Sequence, residues 1–279
     1  MPKSDELLAI TSGFEDRLLA AEDRMMAAVE AMGAKVDEEE MSSILQINGD
    51  VGVIEIRGML TNVNSWINKY LGLVAYDEIR LATAQALDAG VGGLMYLIAS
   101  PGGRVAGMDG AAELISSVPV PTLAFAEETM ASAALFLGIQ AEHVLAGRVA
   151  NVGSVGVMMK IMDYTEKMKK DGIKAERIRS GDLKAPGDPL FKLTAKEREL
   201  LEGQVMTMAE MFFNVVSEAR GIPRPMLDQL DITTGRTFIG EQALQAGLVD
   251  SLATFDEAYL KIAGLAKKNV DSRKNRAVF

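Results

Sequence analysis

Residues 93–99, Gly-Leu-Met-Tyr-Leu-Ile-Ala, constrain the fold more than any other stretch of this chain. A short, near-continuous apolar run bounded by glycine and proline reads as a strand covered on both faces. Such a sheet needs helices above and below it, and the flanking sequence supplies them. Val51–Arg57 and Thr122–Ala126 read as further strands, and Tyr76–Ala89 as a helix through Ile79, Ala82 and Leu87. Ala106–Val118 and Thr129–Gln140 also read as helices. His143–Ala146, Ser154–Met158 and Ala175–Arg179 read as strands, and Asp163–Asp171 as a helix stopped by Gly172. Strands alternating with helices predict an α/β fold of parallel βαβ units. These sheets hold ligands beyond the carboxyl ends of their strands. Ser100-Pro101-Gly102-Gly103 and the loop Glu127-Glu128-Thr129 should therefore meet on one rim.

The remaining third reads as a helical C-terminal part. Thr194–Ala219 is amphipathic, with Leu200, Leu201, Val205, Met208, Met211, Phe212 and Val215 on one side, and Thr194 with Glu197 spells a capping box. Met and Phe at that spacing read as core or subunit contact. Arg236–Ile239 reads as a strand, with helices over Glu241–Ala246 and Ala253–Ala266. At the other end, residues 4–33 read as an amphipathic helix, with Leu7, Phe14, Leu18, Met25, Val29 and Met32 near a 3.5-residue spacing. It is either an arm that docks on a partner or a helix packed on its own domain. The expected organisation is an N-terminal helical arm and linker over 1–45, a catalytic domain over 46–266, and a basic solvated tail over 267–279.

Composition closes several functional classes. The net charge of −10 argues against non-specific nucleic-acid binding. Without cysteine there are no disulfides or thiolate metal sites, and a single histidine leaves little to build a zinc site, so no metal is expected; nor is a cofactor, since the candidate catalytic parts are all side chains and backbone. No apolar run reaches the ~18 residues of a membrane span, and the first residues lack a signal-peptide pattern. A cytoplasmic protein without a membrane partner is the expectation.

The same scarcity narrows the catalytic options. A serine needs a base to act as a nucleophile near neutral pH. His143 lies in an apparent strand and reads as structural, so a lysine is the natural replacement, and Ser–Lys pairs are established chemistry. Ser132 sits in Thr-Met-Ala-Ser-Ala-Ala, where small neighbours let a substrate backbone approach; a serine among alanines also serves simply to pack a helix. Lys184 lies 52 residues later in Ser-Gly-Asp-Leu-Lys-Ala-Pro-Gly, apart from the solvated Lys167, Lys169 and Lys170. As a base it must be neutral near pH 7–8, which desolvation in an apolar cleft favours. Gly102 and Gly103 make either a plain turn or an oxyanion hole, with the N–H of Ala133 as second donor. Ser154 either orients the base or caps a strand end.

Taken together, Ser-Pro-Gly-Gly, Ala-Ser-Ala-Ala, Val-Gly-Ser-Val-Gly-Val-Met-Met and Ser-Gly-Asp-Leu-Lys resemble the signal peptide peptidase A family of Ser–Lys peptidases. The resemblance runs from about Val51 to Ala263 and includes Thr237–Asp250. Within the family the chain looks most like the head (capsid) maturation proteases of tailed phages, through Lys184-Ala-Pro-Gly-Asp-Pro189. The resemblance implies a crotonase-like, Clp-protease-like fold and assembly into a homo-oligomeric ring. It also implies Ser132 as nucleophile, Lys184 as general base and acid, and Ser154 as the hydroxyl orienting Lys184. Gly103 and Ala133 would donate to the oxyanion, with Gly102 beside them. The implied activity is cleavage of scaffold and related head proteins in the phage prohead. A host peptidase for signal-peptide remnants or oligopeptides is the alternative, and a non-catalytic scaffold-interaction protein with the same fold is the alternative of another class. Ala133-Ala134 departs from the glycine that bacterial relatives carry after the nucleophile, so their methyls should narrow the subsite or lower activity.

Overall fold

The computed structural model describes residues 7–9, 44–65 and 68–276. In chain order the first half forms β1 (Leu7–Ala9), β2 (Leu45–Asn48), β3 (Val51–Arg57), β4 (Met59–Thr61), α1 (Asn68–Leu71), β5 (Leu73–Ala75), α2 (Tyr76–Asp88), β6 (Gly93–Ser100), β7 (Gly103–Arg104), α3 (Met108–Ser116), β8 (Thr122–Ala131) and α4 (Ala133–Gly138). The second half forms β9 (His143–Ala146), β10 (Asn151–Gly153), β11 (Met158–Met159), α5 (Thr165–Lys170), α6 (Ala195–Arg220), α7 (Arg224–Gln229), β12 (Thr237–Ile239), α8 (Glu241–Gln245), β13 (Ser251–Leu252) and α9 (Phe255–Arg276).

The central sheet is mostly parallel, as the alternation of elements predicts. β6 lies between β3 and β8, and β8 also pairs with β9 and β10, all parallel. Antiparallel β2 and β12 form its edges. Its two faces explain the apolar run at 93–99. Leu94, Tyr96 and Ile98 of β6 face one way, into a core shared with Ile79 of α2, Ile115 of α3 and Leu135 of α4. Met95 and Leu97 face the other way, against Ala258, Ile262 and Ala266 of α9. Each such side chain contributes about 2 kcal/mol by leaving water. The α9 backbone rides directly on the start of β6: a Cβ added at Gly92 would lie 2.4 Å from the Ala266 carbonyl oxygen.

α6 begins with the capping box its sequence spells. Thr194 Oγ1 accepts from the Glu197 amide at 3.2 Å, and the Glu197 carboxylate accepts from the Thr194 amide at 3.0 Å. The helix buries Leu201, Ala209, Phe212, Phe213 and Val216, whereas Met211 is exposed, so its inner stripe differs in part from the expected one. The Phe212 ring meets the Phe136 ring edge-on at 5.1 Å and so braces α4. Among the described residues no helix is long and apolar enough to cross a membrane.

Several expectations are corrected. β8 continues to Ala131 through the segment expected to be the Glu127–Thr129 loop. Between Ile98↔Ala126 and Ser100↔Met130 it takes four steps against two on β6, and this irregularity absorbs the extra residues. α4 therefore starts at Ala133, because β10 pairs with Thr129–Ala131 and holds those residues in the sheet. The strand expected over 154–158 is split: β10 ends at Gly153 and β11 comprises only Met158–Met159. Residues 175–179 form no strand, because their arginines are drawn instead to a buried carboxylate at the start of α6. The stretch expected as a solvated tail continues α9 to Arg276, where Asn269 donates to the Gly92 carbonyl at 2.9 Å. At the N-terminus, Leu7–Ala9 is a strand between two others rather than part of a helix; residues 1–6 and 10–43 of the expected arm and linker lie outside the described residues.

Candidate active site

Ser132 stands at the turn from β8 into α4 with φ 53° and ψ −125°. Residues other than glycine rarely adopt positive φ, and such strain persists only where surrounding structure imposes it. Two bonds impose it here. The Ser132 amide donates to the Gly153 carbonyl at 2.8 Å, continuing the β10 ladder, and its carbonyl accepts the first helical bond of α4 from Phe136 at 3.0 Å. The residue is thus pulled sharply out of the sheet. Among the described residues its buried hydroxyl has no hydrogen-bond partner. A buried hydroxyl without a partner costs about 1–3 kcal/mol and calls for a reason. A strained serine at a strand-to-helix turn has the form of a nucleophile elbow.

The neighbouring backbone offers donors. The N–H of Ala133, the first residue of α4, has no partner within the helix, since the ladder begins at Phe136. β7 packs against α4, which brings Gly103 beside this turn. A Cβ on Gly103 would lie 1.9 Å from the Leu60 carbonyl oxygen, so only glycine permits this approach. Leu60 donates to the Gly102 carbonyl at 2.8 Å, as a parallel pairing at Gly103 requires. The polar groups of Gly103 consequently face away from β4. Gly102, at φ 97°, donates its own N–H to Ser100 Oγ at 3.1 Å, so that donor is already engaged. Ser100 is fully buried at the end of β6 and shapes this turn; its position just before Pro-Gly-Gly is the only sign of that in the sequence. Ala133 and Ala134, like Ser132 itself, are buried.

Ser154 follows Gly153 as Ser132 follows Ala131, and Gly153 and Ala131 are register partners. Its φ is 54°, and its amide donates to the Arg236 carbonyl at 2.7 Å. It lines a cleft of about 490 Å³ together with Val157, Met158, Val205, Ala209 and Phe213.

Lys184 lies elsewhere. It is exposed, in an irregular loop with Gly181, Asp182 and Leu183 near Lys196, and its amide donates to the Gly181 carbonyl at 3.1 Å. The structure brings Ser132, Ala133, Gly103 and Ser154 to one rim but does not bring Lys184 to them. The loop is anchored on both sides of it. Ahead of it, Arg179 and Arg177 reach the buried Glu197 carboxylate at 2.7 Å and 3.3 Å, and the Arg177 guanidinium lies 4.6 Å from the Phe191 ring centroid. Beyond it, Thr194 bonds to the same carboxylate. The amide bond from Thr194, then the Arg179 bond, hold the Glu197 carboxyl down at about 2. Sequence reasoning found Glu197 as a cap and missed its arginines, which nothing local to the sequence pairs with it.

His143 is removed from this rim. It pairs with Leu123 near the start of β8, whereas Ser132 follows the last residue of that strand. At ~3.3 Å per residue the two ends lie roughly 20 Å or more apart, so His143 cannot serve Ser132 within one chain.

An α/β sheet with a strained serine and backbone donors at the carboxyl end of its strands is a hydrolase-like arrangement. Residues 116–269, more than half of the chain, match peptidase family S49, and the chain belongs to that family. It is similar to capsid assembly protease C of Escherichia phage lambda, with 29% identity over 249 residues, covering 88% of this chain and 55% of that protein. The head-tail preconnector protein GP5 of Enterobacteria phage P21 is 28% identical over 227 residues, 80% of this chain and 44% of its own length. A putative signal peptide peptidase of Enterococcus faecium is 27% identical over 177 residues, 61% of this chain and 50% of its own. The chain thus spans about half the length of these relatives. The resemblance read from the motifs holds at the level of the family and of its phage members.

Proposed function

We propose that this chain is a serine endopeptidase that cuts scaffold and related head proteins during phage capsid maturation, with Ser132 as nucleophile and Lys184 as its base. The observation that carries the reading is the strained, buried, unpartnered hydroxyl of Ser132 at the β8–α4 turn. In this reading Ser132 Oγ attacks the substrate carbonyl while the neutral Lys184 amine accepts its proton. The N–H groups of Ala133 and Gly103 receive the developing oxyanion, each donor worth about 3 kcal/mol in the transition state. Lys184 returns the proton to the leaving amine, and a water activated by the same amine releases the acid from Ser132. Ser154, next along the rim, orients the amine.

The exposed Lys184 loop must then fold over the Ser132–Ser154 rim when substrate or a neighbouring copy covers it. The Glu197–Arg177–Arg179 anchor determines where that movement can hinge. A homo-oligomeric assembly in the host cytoplasm and prohead belongs to the same reading. Its support is the likeness to phage head proteins described above.

Co-expression with the neighbouring head and scaffold proteins, followed by mass spectrometry of the fragments, tests it. Wild type should give discrete internal cuts that vanish in Ser132→Ala and in Lys184→Ala. Cuts that survive Ser132→Ala would refute the assignment.

A further inference from the structure

The smaller sheet has the strand order β11-β1-β7-β4-β5, so β1 is an inner strand rather than an edge. It runs antiparallel to both neighbours. Leu7 and Leu8 face Met159 and Met158, while Leu8 and Ala9 face Arg104 and Gly103. Without β1, the two-residue strands β7 and β11 would flank a gap about 10 Å wide, room for one extended chain. Backbone pairing of this kind is how sheet edges capture extended peptides of varied sequence.

The gap also has a chemical direction. β4 occupies one side of β7, so the polar groups of Gly103 face β1. By the alternation of an antiparallel ladder, Ala9 and Gly103 are then the pair that exchanges bonds. Gly103 is an oxyanion donor in the function proposed above. Ala9 thus stands where an acyl-side residue presents its carbonyl. The chain runs from Leu7 to Ala9 along β7, the strand that packs against the helix opening just after Ser132. Met158, which pairs with Leu8, lines the same cleft as Ser154.

We propose that β1 is a built-in occupant of the acyl side of the substrate slot, so that a polypeptide substrate enters only as Leu7–Ala9 leaves. The inference rests on the placement of Ser132 and Gly103 in the proposed function.

Two variants test it: removal of residues 1–9, and Leu8→Pro, which takes a backbone donor out of the ladder. With an unstructured polypeptide substrate, both should lower KM about 5-fold or more at little-changed kcat, because the open slot is no longer a minor population. The second measurement needs no catalysis. A fluorescent peptide with the sequence of residues 2–9 is titrated into Ser132→Ala with and without residues 1–9. It should bind the shortened protein at least 5-fold more tightly. Equal binding and an unchanged KM, with Ser132-dependent hydrolysis intact, would overturn the occupant and leave the catalytic reading standing. Tighter binding to the shortened protein, with no hydrolysis by any variant, would uphold the occupant while the catalytic reading fails.

Discussion

Ser132 and Ser154 are each the first residue beyond the Ala131–Gly153 pair of the β8–β10 ladder, and both have positive φ, 53° and 54°. Two adjacent parallel strands therefore end in serines that leave the sheet side by side, each tethered by its own amide. The Ser132 strain should be measurable. Ser132→Gly should abolish hydrolysis yet stabilise the protein by about 1 kcal/mol, since glycine accepts this backbone. Thermal unfolding should shift upward by about 2–4 °C. A lowered midpoint would show that the hydroxyl supports the fold rather than the chemistry.

Gly103 should tolerate no side chain. A Cβ there would lie 1.9 Å from the Leu60 carbonyl oxygen, a backbone atom that cannot swing aside. Gly103→Ala should cost about 3 kcal/mol of stability and reduce hydrolysis beyond that loss. Denaturant unfolding, with activity measured on the folded fraction, checks both effects. Gly181→Ala, in a loop where an added Cβ meets nothing within 4 Å, is the control and should leave stability unchanged.

A lysine base predicts a pH profile. The active form is the neutral amine, so the chemical rate should rise as pH rises, and Lys184→Arg should be inactive because a guanidinium does not give up its proton. A flat profile from about pH 6 to 9 with chemistry rate-limiting would contradict a lysine base.

Glu197 should matter most where it is ionised. Its folded pKa, about 2, lies below the ordinary carboxylate value near 4.5. The stability it contributes is therefore complete above about 4.5 and fades as pH falls toward 2. Glu197→Gln leaves Arg177 and Arg179 without their anion and should cost about 3 kcal/mol at neutral pH. The gap in midpoint between wild type and variant should narrow as pH drops through that window. The variant should also be cut faster by protease within residues 173–192. A gap that does not vary with pH would place its cost in packing alone.

The parallel core was legible because a strand buried on both faces leaves an unbroken apolar run, as at 93–99, and because α6 announces itself with Thr194 and Glu197. Ser132 among alanines was ambiguous alone, and only the combined order and spacing of its motif with Ser-Pro-Gly-Gly and Ser-Gly-Asp-Leu-Lys singled it out. The strained turn itself was not legible, since whether β8 ends at Ala126 or Ala131 depends on pairing with β10, a distant segment. The arginine anchor of the Lys184 loop escaped for the same reason: Arg177 and Arg179 look like an ordinary strand until Glu197 folds beneath them. β1 shows the opposite failure. A 3.5-residue spacing reads Leu7 as helical, but backbone pairing on both sides outweighs local period over three residues.

Covalent capture at Ser132 is the most direct measurement. The protein is incubated with a serine-directed fluorophosphonate, and the adduct is located by peptide mass spectrometry. A single adduct on Ser132, formed much more slowly in Lys184→Ala and absent from Ser132→Ala, is the predicted result. Labelling that falls on another residue, or that proceeds equally well in Ser132→Ala, would contradict a Ser132–Lys184 peptidase.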